Sequence, residues 1–126
     1  MRILLDSHVV LWWLEDNKLM GSQSRQLIGS ADEAFVSAAT HWELGIKRAL
    51  GKLSMPDGLR EVVAADGLDS LAITAEHAEL APQLPAHHRD PFDRMLVAQA
   101  QLEALVLVTA DSKLAAYDVE QFDAKS

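Results

Sequence analysis

The run Leu105-Val106-Leu107-Val108 carries no polar residue on either side, so as a strand it must be covered on both faces. That requirement points to a mainly parallel sheet held between two helical layers. The rest of the chain is consistent with it. Ile3–Leu5 is a short aliphatic run, Ala34–Val36 and Leu68–Ile73 read as a second and a third short strand, and segments of helical character lie between them. Val9–Leu14 is apolar all round and fits helix or strand; helix is preferred because a buried strand followed by a buried helix opens a βα unit. Ser22–Ser30 reads as a polar surface helix. From Ala38, the apolar positions Ala39, Trp42, Ile46, Ala49 and Leu50 recur at helical spacing and end at Gly51, a residue suited to the left-handed terminator. Leu59–Ala65 and Thr74–Leu80 read as further helices, the second capped by Thr74. Asp90-Pro91, with Asp93 three residues after the cap, is a strong helix start, and the helix runs on through Leu102. The tail from Tyr117 to Asp123 carries no firm strand signal.

The chain has 126 residues with 49% hydrophobic and 24% charged side chains, enough to bury a core in one domain, residues 1–126. Cysteine is absent, which removes disulfides, thiolate metal sites and a cysteine nucleophile, and fits a reducing, cytoplasmic compartment. Asp6 and His8 interrupt the apolar N-terminal stretch where a leader peptide would be uniformly apolar, and no run reaches the roughly 20 apolar residues of a membrane span. A net charge of -8 opposes non-specific attraction to nucleic acid or anionic lipid, so a nucleic-acid role needs cations to offset it.

In a parallel sheet, ligands bind at the carboxyl ends of the strands. Asp6 stands directly after the first strand, and Asp111 follows the last aliphatic run in Val-Thr-Ala-Asp. Glu43 lies about 100° round its helix from Trp42, and Asp93 occupies the first turn of the helix that Asp90 opens. Four carboxylates can therefore meet at one edge. Such a cluster raises its own pKa values unless a cation sits among them, and oxygen donors favour Mg²⁺ or Mn²⁺. The usual chemistry of such sites is phosphoryl or phosphodiester transfer. Each acid also has an ordinary reading: Asp6 as a helix cap, Glu43 as the i+4 partner of Lys47, Asp93 as a capping-box acid, Asp111 as an Asx-turn residue. Lys47, Arg48 and Lys52, with Arg89 and Arg94, are the bases near these elements; they fit phosphate contacts, and the first three equally fit a solvated helix face. His87-His88 lacks the i, i+4 spacing of a helical metal pair and reads as a loop without ligand role. Trp12, Trp13, Trp42 and Phe92 read as core or subunit contacts.

Taken together, Leu-Leu-Asp6-Ser-His-Val-Val-Leu-Trp-Trp-Leu, Phe-Val-Ser-Ala-Ala-Thr-His-Trp-Glu43-Leu-Gly-Ile-Lys, His-His-Arg-Asp-Pro-Phe-Asp93-Arg-Met-Leu-Val-Ala-Gln-Ala and Leu-Val-Thr-Ala-Asp111 closely resemble the PIN-domain family, in its VapC-like toxin branch of type II toxin-antitoxin systems. The resemblance spans nearly the whole chain. It implies a three-layer α/β/α sandwich with a parallel sheet of about five strands. It further implies a Mg²⁺- or Mn²⁺-dependent endoribonuclease with Asp6, Glu43, Asp93 and Asp111 as its metal acids. Ser7 and Thr109 match the hydroxyl positions beside those acids, and Asp90 belongs to the same stretch with a helix-capping role. Its expected partners are RNA, a cognate antitoxin protein and a second copy of the chain in a homodimer, with no membrane. In-line attack of water on phosphorus would leave a 5′-phosphate and a 3′-hydroxyl. Three rival functions are weaker fits. A receiver-like phosphoacceptor module would need paired acids after the first strand and a late lysine, and here Asp6 is followed by Ser7. A PIN-fold binding module with a dormant site would not need all four matching acids, and a phosphomonoesterase would use the same metal chemistry on nucleotides rather than on RNA.

Overall fold

The computed structural model describes residues 1–126. Five strands, β1 (Arg2–Leu5), β2 (Glu33–Ser37), β3 (Asp69–Leu71), β4 (Val106–Thr109) and β5 (Gln121–Asp123), form one sheet in the order β3-β2-β1-β4-β5. Every neighbouring pair is parallel, with Leu5 opposite both Val36 and Val108. Six helices accompany them: α1 (Ser7–Glu15), α2 (Ser22–Ser30), α3 (Ala38–Ala49), α4 (Leu59–Ala65), α5 (Ala75–Leu80) and α6 (Pro91–Glu103).

Strand periodicity splits the core in two. Ile3, Leu5, Val36, Val106 and Val108 point to one face and pack with Val9, Val10, Leu44 and Val63 from α1, α3 and α4. Leu4 and Leu107 point to the other and pack with Leu96, Val97 and Ala100 of α6 and with Leu114 and Tyr117. This covering of both faces is why the sequence of β4 has no polar side, and all four of its residues are buried.

Local chemistry sets most helix ends. Asp6 caps α1, Ser37 caps α3 through the Ala39 N–H, and Thr74 with His77 forms a capping box on α5. Asp90 caps α6 by accepting from the N–H groups of Phe92 and Asp93, with Pro91 at the first helical position. Gly51 takes the left-handed conformation that ends the α3 region, at φ 72°.

Two expectations change. The tail forms a strand after all: β5 pairs with Leu107–Thr109, so the sheet itself holds a segment whose own sequence signal is weak. In α3, of the apolar positions read from the sequence, only Ala39 is buried. Ala39, Thr40, Glu43 and Leu44 face inward, whereas Trp42, Ile46 and Leu50 are exposed, Trp42 by 65%. Trp12 and Trp13 are half-buried against the first core layer, and the Trp13 indole donates to Asp66 at 2.6 Å. No helix is long and apolar enough to cross a membrane.

Candidate active site

The chain starts at the centre of the sheet and winds outward in both directions, so the connections leaving β1 and β4 diverge and open a crevice at their carboxyl ends. Asp6 lies at this point. One of its oxygens, Oδ1, accepts the Val9 N–H at 2.9 Å as the α1 cap, and the other accepts the hydroxyl of Thr109 at the end of β4. Thr109 Oγ1 in turn accepts the Asp111 N–H at 3.0 Å, and Asp111 Oδ1 accepts the Lys113 N–H at 2.9 Å. One threonine thus ties the acid after β1 to the acid after β4.

The helices supply the other two acids, one from each layer. Glu43 is 8% exposed on the inward face of α3, with Oε1 accepting the Ser7 hydroxyl at 2.6 Å and Oε2 3.3 Å from Lys47 Nζ. Ser7 Oγ is also 3.3 Å from Thr40 Oγ1. Asp93 projects from the first turn of α6. Its Oδ2 lies 2.9 Å from His88 Nε2, which is also 3.4 Å from Asp111 Oδ2.

These groups feel one another electrostatically. Burial pushes the Asp6 carboxyl up, with a smaller push from Asp111, against the pull of the Thr109 and Val9 hydrogen bonds and of His8. Burial likewise raises Asp93, joined by repulsion from Asp90, Glu43 and Asp6, to about 6 despite the opposing pull of His88. The repulsion on Asp93 comes from three different elements, so the acids share one electrostatic site.

Asp6, Glu43, Asp93 and Asp111 are therefore brought together, with Ser7 and Thr109 holding two of them and Asp90 at the helix cap beside Asp93. The bases are less uniform. Lys47 sits at the rim against Glu43, Arg48 pairs with Asp57 beyond it, and Arg89 is exposed. Arg94 turns away from this role: its guanidinium donates to the carbonyls of Ala81, Pro82, Leu84, Pro85 and His88 and to the Tyr117 hydroxyl. It is a strut for the loop before α6, since a planar fork of donors is well matched to several convergent carbonyls.

Sequence reasoning missed His88. It lies in a loop, as expected, yet that loop folds over the start of α6 and places the ring between two acids, which no local spacing announces. The one signal in the sequence was its position just ahead of Asp-Pro-Phe-Asp93.

Residues 3–120 match the PIN domain family. The chain is 35% identical to ribonuclease VapC22 of Mycobacterium tuberculosis over 120 residues, covering 89% of this chain and 88% of that one. Among solved structures, VapBC2 of Rickettsia felis bound to a promoter DNA fragment superposes with a TM-score of 0.73 at 13% identity, covering 97% of this chain and 98% of that one. A toxin-antitoxin complex from Klebsiella pneumoniae gives 0.68 at 17% identity, covering 97% of each chain. With a doubly wound parallel sheet, acids gathered where its winding reverses, and a family match over nearly its full length, the chain belongs to the PIN-domain family, in its VapC-like branch.

Proposed function

We propose that the protein is a divalent-metal-dependent endoribonuclease and the toxin member of a toxin-antitoxin pair, with Asp6, Glu43, Asp93 and Asp111 as its working acids. The observation that carries this reading is the convergence of these four carboxylates, from two strand ends and both helical layers, at the point where the sheet winding reverses. The ribonuclease VapC22 relationship supports RNA as the substrate, and the VapBC complexes support an antitoxin as the partner.

The donor set fits Mg²⁺ or Mn²⁺: it is built of carboxylate oxygens, and beyond the effect of burial Asp93 is repelled by Asp90, Glu43 and Asp6, and Asp6 by Asp111, a repulsion that a hard dication relieves. Bound among Asp6, Asp93 and Asp111, with Glu43 completing the set, the ion would supply Lewis-acid polarisation of the phosphodiester and neutralise charge on it. The chain's own residues do the rest. Thr109 and the Val9 N–H hold the two oxygens of Asp6, and Ser7 fixes Glu43 through Oε1, so that Oε2, which Lys47 also faces, keeps an acceptor site to orient water in line with phosphorus. The oxygen of that water would bond to phosphorus as the P–O3′ bond breaks, and the proton the water loses is balanced by one taken up by the departing 3′ oxygen, leaving a 5′-phosphate and a 3′-hydroxyl. Lys47 and Arg89 at the rim are the phosphate contacts in this reading, with Arg48 able to join them by leaving Asp57. The exposed stripe of Trp42, Ile46 and Leu50 supports a protein partner on α3, a second copy of the chain being the one this reading adopts.

The test is incubation of the purified chain with total cellular RNA, with Mg²⁺ or Mn²⁺ or with chelator, beside Asp6→Asn, followed by mapping of new 5′ ends. Discrete metal-dependent cuts bearing 5′-phosphates and absent from folded Asp6→Asn are expected. Equal cleavage by wild type and variant would remove Asp6 from the site, and no cleavage by antitoxin-free wild type would move the chain to a binding module with a dormant site.

A further inference from the structure

We propose that His88 is a positioning residue of the acid site, holding Asp93 and Asp111 through its Nε2–H without itself ligating a metal; this rests on the metal-dependent reading above. The assignment follows from which ring nitrogen carries the proton. The backbone N–H of Arg89 points at His88 Nδ1 at 3.0 Å, and a backbone amide can only donate. Nδ1 is thus the acceptor, so the neutral ring carries its hydrogen on Nε2. That nitrogen faces Asp93 Oδ2 at 2.9 Å and Asp111 Oδ2 at 3.4 Å, two oxygens that can only accept when ionised.

An Nε2 that holds a proton has no lone pair for a cation. For the ring to ligate through Nε2, its hydrogen would have to move to Nδ1 and meet the Arg89 N–H head-on at hydrogen-bond distance. The three facing atoms of His88, Asp93 and Asp111 lie within 4.8 Å of one another, a grouping that by spacing alone could hold an ion. The tautomer separates their roles: two carboxylates as ligands, one imidazole as the donor between them.

The backbone that carries the ring is also held. The His88 N–H donates to the Tyr117 hydroxyl at 3.0 Å, and the His88 carbonyl accepts from Arg94 Nη1 at 3.1 Å. Tyr117 is buried and donates onward to the Pro85 carbonyl at 2.8 Å. Arg94 directly follows Asp93 in α6, so the helix that presents the acid also fixes the loop that orients it. Partners of this kind, hydrogen-bonded to ligating carboxylates, typically change metal affinity or activity by about 10–100-fold when removed.

The experiment is titration of Mn²⁺ into the full chain at fixed pH, read by EPR and calorimetry, for wild type, His88→Ala and His88→Gln, with thermal melts to verify folding. The expected results are Mn²⁺ affinity about 10–100-fold weaker in His88→Ala, recovery of most of it in His88→Gln, which keeps an N–H donor, and no imidazole nitrogen coupling in the pulsed EPR of the wild-type complex. Nitrogen coupling that disappears in His88→Ala would make His88 a ligand and overturn the proposal, as would wild-type affinity in His88→Ala or no recovery in His88→Gln. If His88→Ala does not fold, the nitrogen coupling and the His88→Gln affinity decide alone. Failure of folded wild type to bind Mn²⁺ at all would instead strike the metal reading itself, and this inference with it.

Discussion

Replacing Asp93 with asparagine should stabilise the metal-free protein at neutral pH while removing the activity proposed for it. The Asp93 carboxyl is raised to about 6 from an ordinary 3.8, first by burial and then by Asp90, Glu43 and Asp6. An acid raised in the folded state stabilises that state when protonated. The contribution is therefore complete below about pH 4 and is lost as pH rises through about 6. A shift of roughly two units corresponds to about 3 kcal/mol. The side chain keeps 20% exposure, and asparagine forfeits the charge-assisted part of the hydrogen bond from His88 Nε2–H, so we expect a net gain of about 1–2 kcal/mol at pH 7.5. For a chain of this size that is about 3–8 °C in melting temperature. The assay is a thermal melt in chelator at pH 7.5 and pH 4, where the two proteins should converge because the wild-type acid is then protonated. Adding Mg²⁺ should raise wild type by ligand linkage and Asp93→Asn by less. A gain independent of pH, or a variant melting at or below wild type at pH 7.5, would refute the electrostatic account.

Other perturbations separate site chemistry from scaffold. Thr109→Val removes the donor to Asp6 and the acceptor of the Asp111 N–H, and should lower cleavage about 10–100-fold in a single-turnover assay while costing about 1–3 kcal/mol of stability. Arg94→Met strips the loop before α6 of its strut and should cost about 2–4 kcal/mol in urea unfolding; an unchanged midpoint would show that its carbonyl contacts do not matter. Ala104 closes α6 at φ 54°, in the left-handed region, so Ala104→Gly should gain about 1 kcal/mol in the same assay. Ile46→Lys on the exposed stripe should leave unfolding of the monomer within about 0.5 kcal/mol of wild type, and a drop in mass by light scattering would tie that stripe to self-association.

Much of the proposed site was legible because its acids sit at positions that local rules already mark. Asp6 and Asp111 follow aliphatic strands, and Asp93 lies one turn into a helix whose start Asp90-Pro91 announces. What local rules could not separate was the dual use of a residue. Asp6 is both a helix cap and a member of the cluster, and Glu43 is both the i+4 partner of Lys47 and the acceptor from Ser7. The ordinary reading of each was correct and incomplete.

The failures share one cause. In α3, the stripe of Trp42, Ile46 and Leu50 has the stronger apolar periodicity, yet Ala39, Thr40, Glu43 and Leu44 are the residues turned inward. Hydropathy can show that a helix has an apolar side; it does not show which side meets the sheet. Arg94 reads as a phosphate contact because its charge is visible in the sequence, whereas the carbonyls that occupy it are not. His88 reads as a plain loop residue because its neighbours in space, Asp111 above all, are distant in the chain.

The sequence by itself determined the alternation of strands and helices, the double covering of β4 and the caps that start α1, α3, α5 and α6, since these depend on residues within a few positions of one another. Only the tertiary structure decided that β5 would pair, that α3 would bury its less apolar stripe, that Arg94 would serve the loop and that a histidine would stand between two of the acids. Those outcomes depend on distances and fields between segments far apart along the chain, and such distances exist only once the sheet has closed and the two helical layers have docked on it.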